Sequence, residues 1–279
     1  MTVSTSSPVP ADLTVAITVS DPSLASVGGG AAVIPAGQSS ASFTLTGLSL
    51  GTVTVIASAG QSSVLDHVQV IVGPNLTCIG NQPTTATDPV VISGAVSVFV
   101  GSLNRLPNVE VKFRQLSDDT ILATTTTDNN GNFSVSVTSE GLPVSGYLEL
   151  TASGYTHARQ YWSKPLTGPT SISPILYTPQ SLASIYFDTV ELTPQPNMAT
   201  IVLSIADCSG SPVTGASAIV DPNTEFVIDA AAYGIPGSKW VLNQPAGMTA
   251  VSVNSGSTTF GTTQVTAASG DLILVSITP

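Results

Sequence analysis

The sequence predicts an all-β protein of tandem sandwich modules, and three observations carry that prediction. With 24 Gly and 20 Pro in 279 residues, turn formers punctuate the chain roughly every 8–12 residues, the spacing of short strands in sandwiches and barrels. The intervals are rich in Val, Ile, Thr and Ser and alternate with period two. Helical periodicity is nearly absent.

The alternation is clearest in LTVAITVS (13–20), SASFTLTGL (40–48), GTVTVIAS (51–58) and DHVQVIV (66–72). Each run places apolar side chains on one face and hydroxyl or polar side chains on the other, as a half-buried strand requires. The one stretch with helical spacing is TPQSLASIYFDTV (178–190), where Leu182, Ile185 and Tyr186 follow a Pro suited to a helix start. One short helix is expected near 179–190.

Charged residues make up 8% of the chain, against about 25% in ordinary globular proteins. Six Lys and Arg oppose 17 Asp and Glu, for a net charge of -11. Binding to nucleic acid is excluded as a class, because phosphate neutralisation needs clustered cations. Anionic membrane surfaces are disfavoured for the same reason. Apolar residues reach 42%, but they come in short runs, none near the ~20 residues of a spanning helix. Polarity comes from Ser, Thr, Asn and Gln. MTVSTSSPVP, the opening stretch, has neither a basic start nor an apolar run. The chain is therefore expected to be a segment of a longer exported protein, extracellular or on the cell surface. Two Asn-glycosylation sequons, at Asn75 and Asn132, arise readily by chance in such a composition.

Two turn-rich stretches divide the chain into five parts: 1–73, a linker at 74–89, 90–163, a Pro-rich connector at 164–197, and 198–279. The first part contains ITVSDPSLASV (17–27) followed by VIPAGQSSASFTLTGLSLGTVTVIASAG (33–60). That order of phrases resembles bacterial immunoglobulin-like domains of surface proteins, and implies a sandwich used as a spacer or adhesin segment. The second contains ISGAVSV (92–98), LPNVEVKF (106–113), TTDNNGNFSVSV (126–137) and SGY (153–155). These resemble carboxypeptidase regulatory-like domains, which are transthyretin-like sandwiches and non-catalytic. Asn108 stands where that pattern usually has Gly or a small residue. If the turn needs positive φ, Asn is the next best tolerated residue there. The third part opens with TIVLSIADCSGSPVTGASAIV (200–220), again a strand, a corner and a strand, and reads as a diverged second copy of the regulatory-like design.

Candidate chemistry is sparse. Cys78 and Cys208 cannot complete a four-ligand zinc site, with His67 and His157 far off in sequence. Two readings remain for them. One is a disulfide closing a loop of about 130 residues, worth up to roughly 5 kcal/mol; the other is a pair of buried thiols acting as small apolar groups. DNNGN (128–132) offers oxygen ligands, but Gly131 comes too early for a calcium loop, and a self-bonded turn explains it. Asp118 and Asp119 sit where a hairpin loop is expected. A nucleophilic triad finds no support: His67 and Asp66 lie on opposite faces of a strand, and no G-x-S-x-G elbow occurs. No metal or cofactor is expected.

The densest aromatic stretch is SGYTHARQYWSK (153–164). Alternation puts Tyr155, His157, Arg159 and Tyr161 on one face and Trp162 on the other. Two uses fit that face: a platform that stacks sugar rings, or a filler for a seam between modules. The functional expectation is a non-catalytic structural or adhesion module of an exported bacterial protein, with an extracellular protein or a glycan as partner. The alternatives are a binding accessory of a secreted enzyme and a self-associating filament subunit.

Overall fold

In the computed structural model, residues 1–48, 51–60, 62–70, 74–99, 103–222 and 226–279 are described. Strands dominate. The chain forms two compact units, Met1–Gly73 and Pro74–Pro279.

The first unit contains β1 (Thr2–Ser4), β2 (Leu13–Val19), β3 (Ala25–Val27), β4 (Ala31–Ile34), β5 (Ser40–Ser42), β6 (Leu45–Gly47), β7 (Gly51–Ala59) and β8 (Ser62–Val70). Its main sheet has the order β4-β2-β7-β8, with β1-β5 and β3-β6 as short ribbons. The alternation of β2 works as read: Val15 and Ile17 are buried beside Ile34, Val53 and Val55, while the hydroxyl face is wet. The run at 40–48, expected as one strand, is two. It breaks after Ser42 because its halves pair with different partners, β1 and β3. The end of the run at 66–72 falls outside the described residues, as does the side chain of His67.

The second unit holds β9 (Val90–Ala95), β10 (Ser97–Phe99), β11 (Leu103–Arg105), β12 (Glu110–Gln115), β13 (Ile121–Thr126), β14 (Asn132–Val137), β15 (Gly146–Thr151), β16 (Ala158–Trp162), β17 (Thr170–Ile172) and β18 (Ile175–Leu176). After a helical segment it continues with β19 (Met198–Ile205), β20 (Ser217–Asp221), β21 (Val227–Asp229), β22 (Ser238–Pro245), β23 (Gly247–Ser255), β24 (Thr258–Ala267) and β25 (Leu272–Ile277).

Sequence reading separates 90–163 from 198–279 with a connector between; in the structure one eight-stranded sheet runs through both. Its order is β13-β12-β15-β16-β25-β19-β22-β21. The halves meet where β16 pairs in parallel with β25, from Ala158 opposite Leu272 to Trp162 opposite Ser276. Smaller sheets, β14-β9-β17 and β20-β23-β24, complete a sandwich with each half.

Side-chain alternation in the long sheet feeds two separate cores, one on each face. Leu272 and Leu274 join a core with Val111, Phe113, Leu148 and Leu150, whereas Ile273, Val275 and Ile277 join one with Ile201, Leu203, Val251 and Val265. Central strands buried on both faces explain why LILV (272–275) reads as a continuous apolar run.

The segment read as a connector is part of the first core. β17 pairs with β9 and β18 with β10, both in parallel. A helix follows where expected: Thr178 caps it by accepting from the Ser181 N–H at 3.2 Å, with Pro179 in the first turn. From Pro179–Leu182 it widens through Ala183–Phe187 and tightens to Val190, ending at Glu191 with φ 56. Tyr186 thereby meets Trp240 edge-on at 5.1 Å. The connector covers the second half of the sheet with the first half's core.

Candidate functional site

Near the seam between the halves, Arg114, Glu149, His157, Arg159 and Asp271 form one charged cluster. Glu149 on β15 lies opposite Arg159 on β16, four residues after Tyr155, where the preceding turn ends. The carbonyl of His157, just before β16, accepts from the Leu272 N–H at 2.9 Å, which sets the register of β25 and delivers Asp271. Strand geometry then points Tyr147, Glu149, His157, Arg159 and Tyr161 to one face, away from Leu148, Leu150 and Ala158.

On that face His157 bridges two carboxylates: Nδ1 is 3.0 Å from Asp271 Oδ1 and Nε2 is 3.0 Å from Glu149 Oε1. Arg114 Nε donates to Glu149 Oε2 at 2.5 Å, and its Nη1 donates to the Asp119 carbonyl at 2.9 Å. Arg159 Nη1 donates to the Thr266 carbonyl at 2.7 Å and lies 3.3 Å from Asp271 Oδ2. Asp271 Oδ2 and Arg159 Nε are buried without an aligned hydrogen bond, so this pair is held by charge rather than by a shared proton. Two arginines balance two carboxylates.

Burial works against the charge on Glu149, but the hydrogen bond and charge of Arg114, with His157, hold its carboxyl below the ordinary value. Beside it Tyr147 and Tyr161 stack at 4.6 Å. Burial pushes both phenols up, for Tyr147 reinforced by its hydrogen bond to Asp119 Oδ1 at 2.9 Å.

Of the four residues read as a binding face, the structure brings three together and removes one. Tyr155 packs against the first core instead. Tyr161, only 1% exposed, belongs to the second core. A stacking platform needs an open ring, and this ring is closed by Tyr147 and by the N–H of Thr266, 3.3 Å from its hydroxyl. The stretch takes the second of its two readings, the filler of a seam. Glu149, Asp271, Arg114 and Tyr147 were not singled out from the sequence. A signal existed for the first: Glu149 interrupts the apolar run GYLELT, where a charge needs a partner.

The other candidates resolve locally. DNNGN is a closed turn in which Asp128 Oδ1 accepts from the N–H groups of Asn130 and Asn132, both at 2.8 Å, and Gly131 takes φ 75. Asp118 accepts from the Thr120 N–H at 3.0 Å in the hairpin between β12 and β13. Asn108 has φ 59. Cys78 and Cys208 form a disulfide, with Cα atoms 5.8 Å apart and 130 residues between them in sequence. Among the described residues no group of three or more His, Cys, Asp and Glu is placed to hold a metal. No described helix is long and apolar enough to cross a membrane.

No family model matches the chain, and no curated protein does. Among solved structures it is similar to the Bacillus anthracis TIE protein at 11% identity and TM-score 0.24, over 97% of this chain and 48% of that one. The chain thus spans about half the length of that structure. It is also similar to the D0-D1 domain of intimin, at 17% identity and TM-score 0.21 over 63% and 88% of the two chains. A Streptococcal ancillary pilin matches at 12% identity and TM-score 0.23, over 99% and 94%.

Proposed function

We propose that the chain is a non-catalytic structural segment of a longer exported surface protein, holding its neighbours at a fixed spacing or taking part in adhesion. The observation that carries this reading is the state of His157. A base in nucleophilic catalysis keeps one ring nitrogen for the nucleophile and the other for an orienting acid. Both nitrogens of His157 face carboxylates, and those carboxylates are paired in turn with arginines. His157 and Arg159 of the first half are thus spent on holding Asp271 of the second. The disulfide supports export, since such bonds persist in oxidising compartments. The immunoglobulin-like and regulatory-like character of the modules, and the bacterial source, belong to this proposal as well.

The test is to compare His157→Gln and Asp271→Asn with the parent in thermal unfolding and in a screen of hydrolytic substrates. The proposal expects lowered unfolding temperatures and no turnover to lose. Turnover by the parent that vanishes in His157→Gln at unchanged stability would overturn it.

A further inference from the structure

One strand edge is left open beside a groove, and its backbone phase can be read. Among the described residues β24 ends its sheet, paired with β23 alone. The N–H of Thr266 faces the Tyr161 hydroxyl and its carbonyl accepts from Arg159, so both point away from β23. In an antiparallel pair such outward residues recur every second position. The N–H and C=O groups of Thr262 and Gln264 therefore point the same way, with no strand among the described residues to meet them. A cavity of about 370 Å³ lies there, lined by every residue from Thr262 to Thr266. Five consecutive residues irrespective of alternation is the lining of a cleft along a strand's edge rather than over its face.

Trp162, Lys164 and Pro165 line the cavity as well. The cleft continues into a second cavity of about 650 Å³ through shared Leu116, Ser145, Met248 and Gln264. Each volume is in the range of ligand-holding sites. Large apolar side chains stand exposed along this path, Met248 at 67% and Leu142 at 60%, joined by Leu116 and Leu122. Such a patch is unusual on an isolated surface.

We propose that this groove docks an extended polypeptide segment carrying an acidic residue, added to the edge of β24 by main-chain hydrogen bonds. The open backbone groups of Thr262 and Gln264 supply the ladder, and the apolar wall takes alternate side chains of the guest. Charge fixes the acidic residue. Lys112, Arg114, Arg159 and Lys239 each pair with a carboxylate of the chain itself. Lys164, half-buried on the groove wall, has no carboxylate partner among the described residues. This inference goes beyond the structural reading above and stands independently of it.

The probe is a synthetic peptide of alternating Val and Thr with one central Glu, about eight residues long, titrated into the whole chain and followed by Trp fluorescence and calorimetry. Binding is expected, and N-methylation of the peptide amides on one edge should abolish it while methylation on the other edge leaves it intact. Gln264→Pro should also abolish it with the fold retained, because that N–H is not used in the pairing with β23. Lys164→Glu should weaken binding about tenfold. Binding that survives Gln264→Pro and both methylations, or its complete absence with the folded parent, would overturn the proposal. If Gln264→Pro does not fold, the methylated pair decides on the parent chain. A dimer dispersed by Gln264→Pro or Lys164→Glu would overturn it too, by giving the edge to a second copy.

Discussion

The turns at Asp128–Asn132 (DNNGN) and Asp207–Ser211 (DCSGS) share one construction. In each the aspartate Oδ1 accepts from the N–H groups two and four residues on: 2.8 and 2.8 Å in the first, 2.8 and 3.0 Å in the second. The aspartate N–H donates to the fifth carbonyl, and the glycine N–H returns to the aspartate carbonyl, all at 2.9 Å. Gly131 and Gly210 take φ 75 and φ 80. Their surroundings differ. Gly131 is walled in by the chain, and a Cβ there would sit 2.7 Å from the Val96 carbonyl, whereas Gly210 faces open space. The second turn instead carries a staple: Cys208 bonds to Cys78, and Asp207 Oδ2 accepts from the Asn75 N–H at 2.9 Å. One local solution thus serves as a buried corner in one place and as an anchor for an incoming segment in the other.

Breaking the staple should have the largest effect. Cys208→Ser frees a loop of about 130 residues and should cost about 3–5 kcal/mol in denaturant unfolding, an effect that reductant reproduces in the parent. Next come the glycines, which sharpen the contrast. Gly131→Ala meets both the backbone penalty and the contact with Val96, for about 2–4 kcal/mol; Gly210→Ala meets the backbone penalty alone, about 1–2 kcal/mol. Equal losses would show that the walls around Gly131 yield.

The aspartates separate the turns by pH. The backbone N–H of Asn132 holds the Asp128 carboxyl down, and that of Asn75 does so for Asp207. A carboxyl lowered on folding stabilises above its unfolded value, and that gain is lost as acid titrates the folded group, here below about pH 4. Asp207→Asn should flatten the acid limb of the stability curve more than Asp128→Asn, because only Asp207 also holds a distant segment. The smallest effect belongs to the corners before β12 and β20, where Asn108 at φ 59 and Gly215 at φ 71 occupy corresponding positions. Asn108→Gly should stay within about 0.5 kcal/mol of the parent, because Asn already tolerates that conformation.

The correspondence runs deeper than those corners. The Val96 N–H donates to the Gly131 carbonyl and the Val96 carbonyl accepts from Leu106; Ile205 repeats both bonds with Gly237 and Val213. A common design for the two halves was visible in the sequence as two strand–corner–strand phrases, because a corner is local chemistry. The helix at 179–190 was legible for the same reason: a Pro, a cap and a periodic apolar face lie side by side. What the sequence hid was the use of edges. Nothing in ARQYW or LILVSI states that these strands pair with each other, since a parallel pairing across more than a hundred residues leaves no local mark. Without that pairing Tyr161 looks like an open ring, and Asp271 like an ordinary turn residue.

The continuous sheet is the claim on which the rest depends, and native-state hydrogen exchange along a denaturant series tests it most directly. If β16 and β25 fuse the halves, the amides of β12, β15, β19 and β22 will open together with one free energy and one denaturant dependence. Separate free energies, with β12 and β15 opening while β19 and β22 stay closed, would mean that residues 90–163 and 198–279 are independent modules and that the seam holds nothing together.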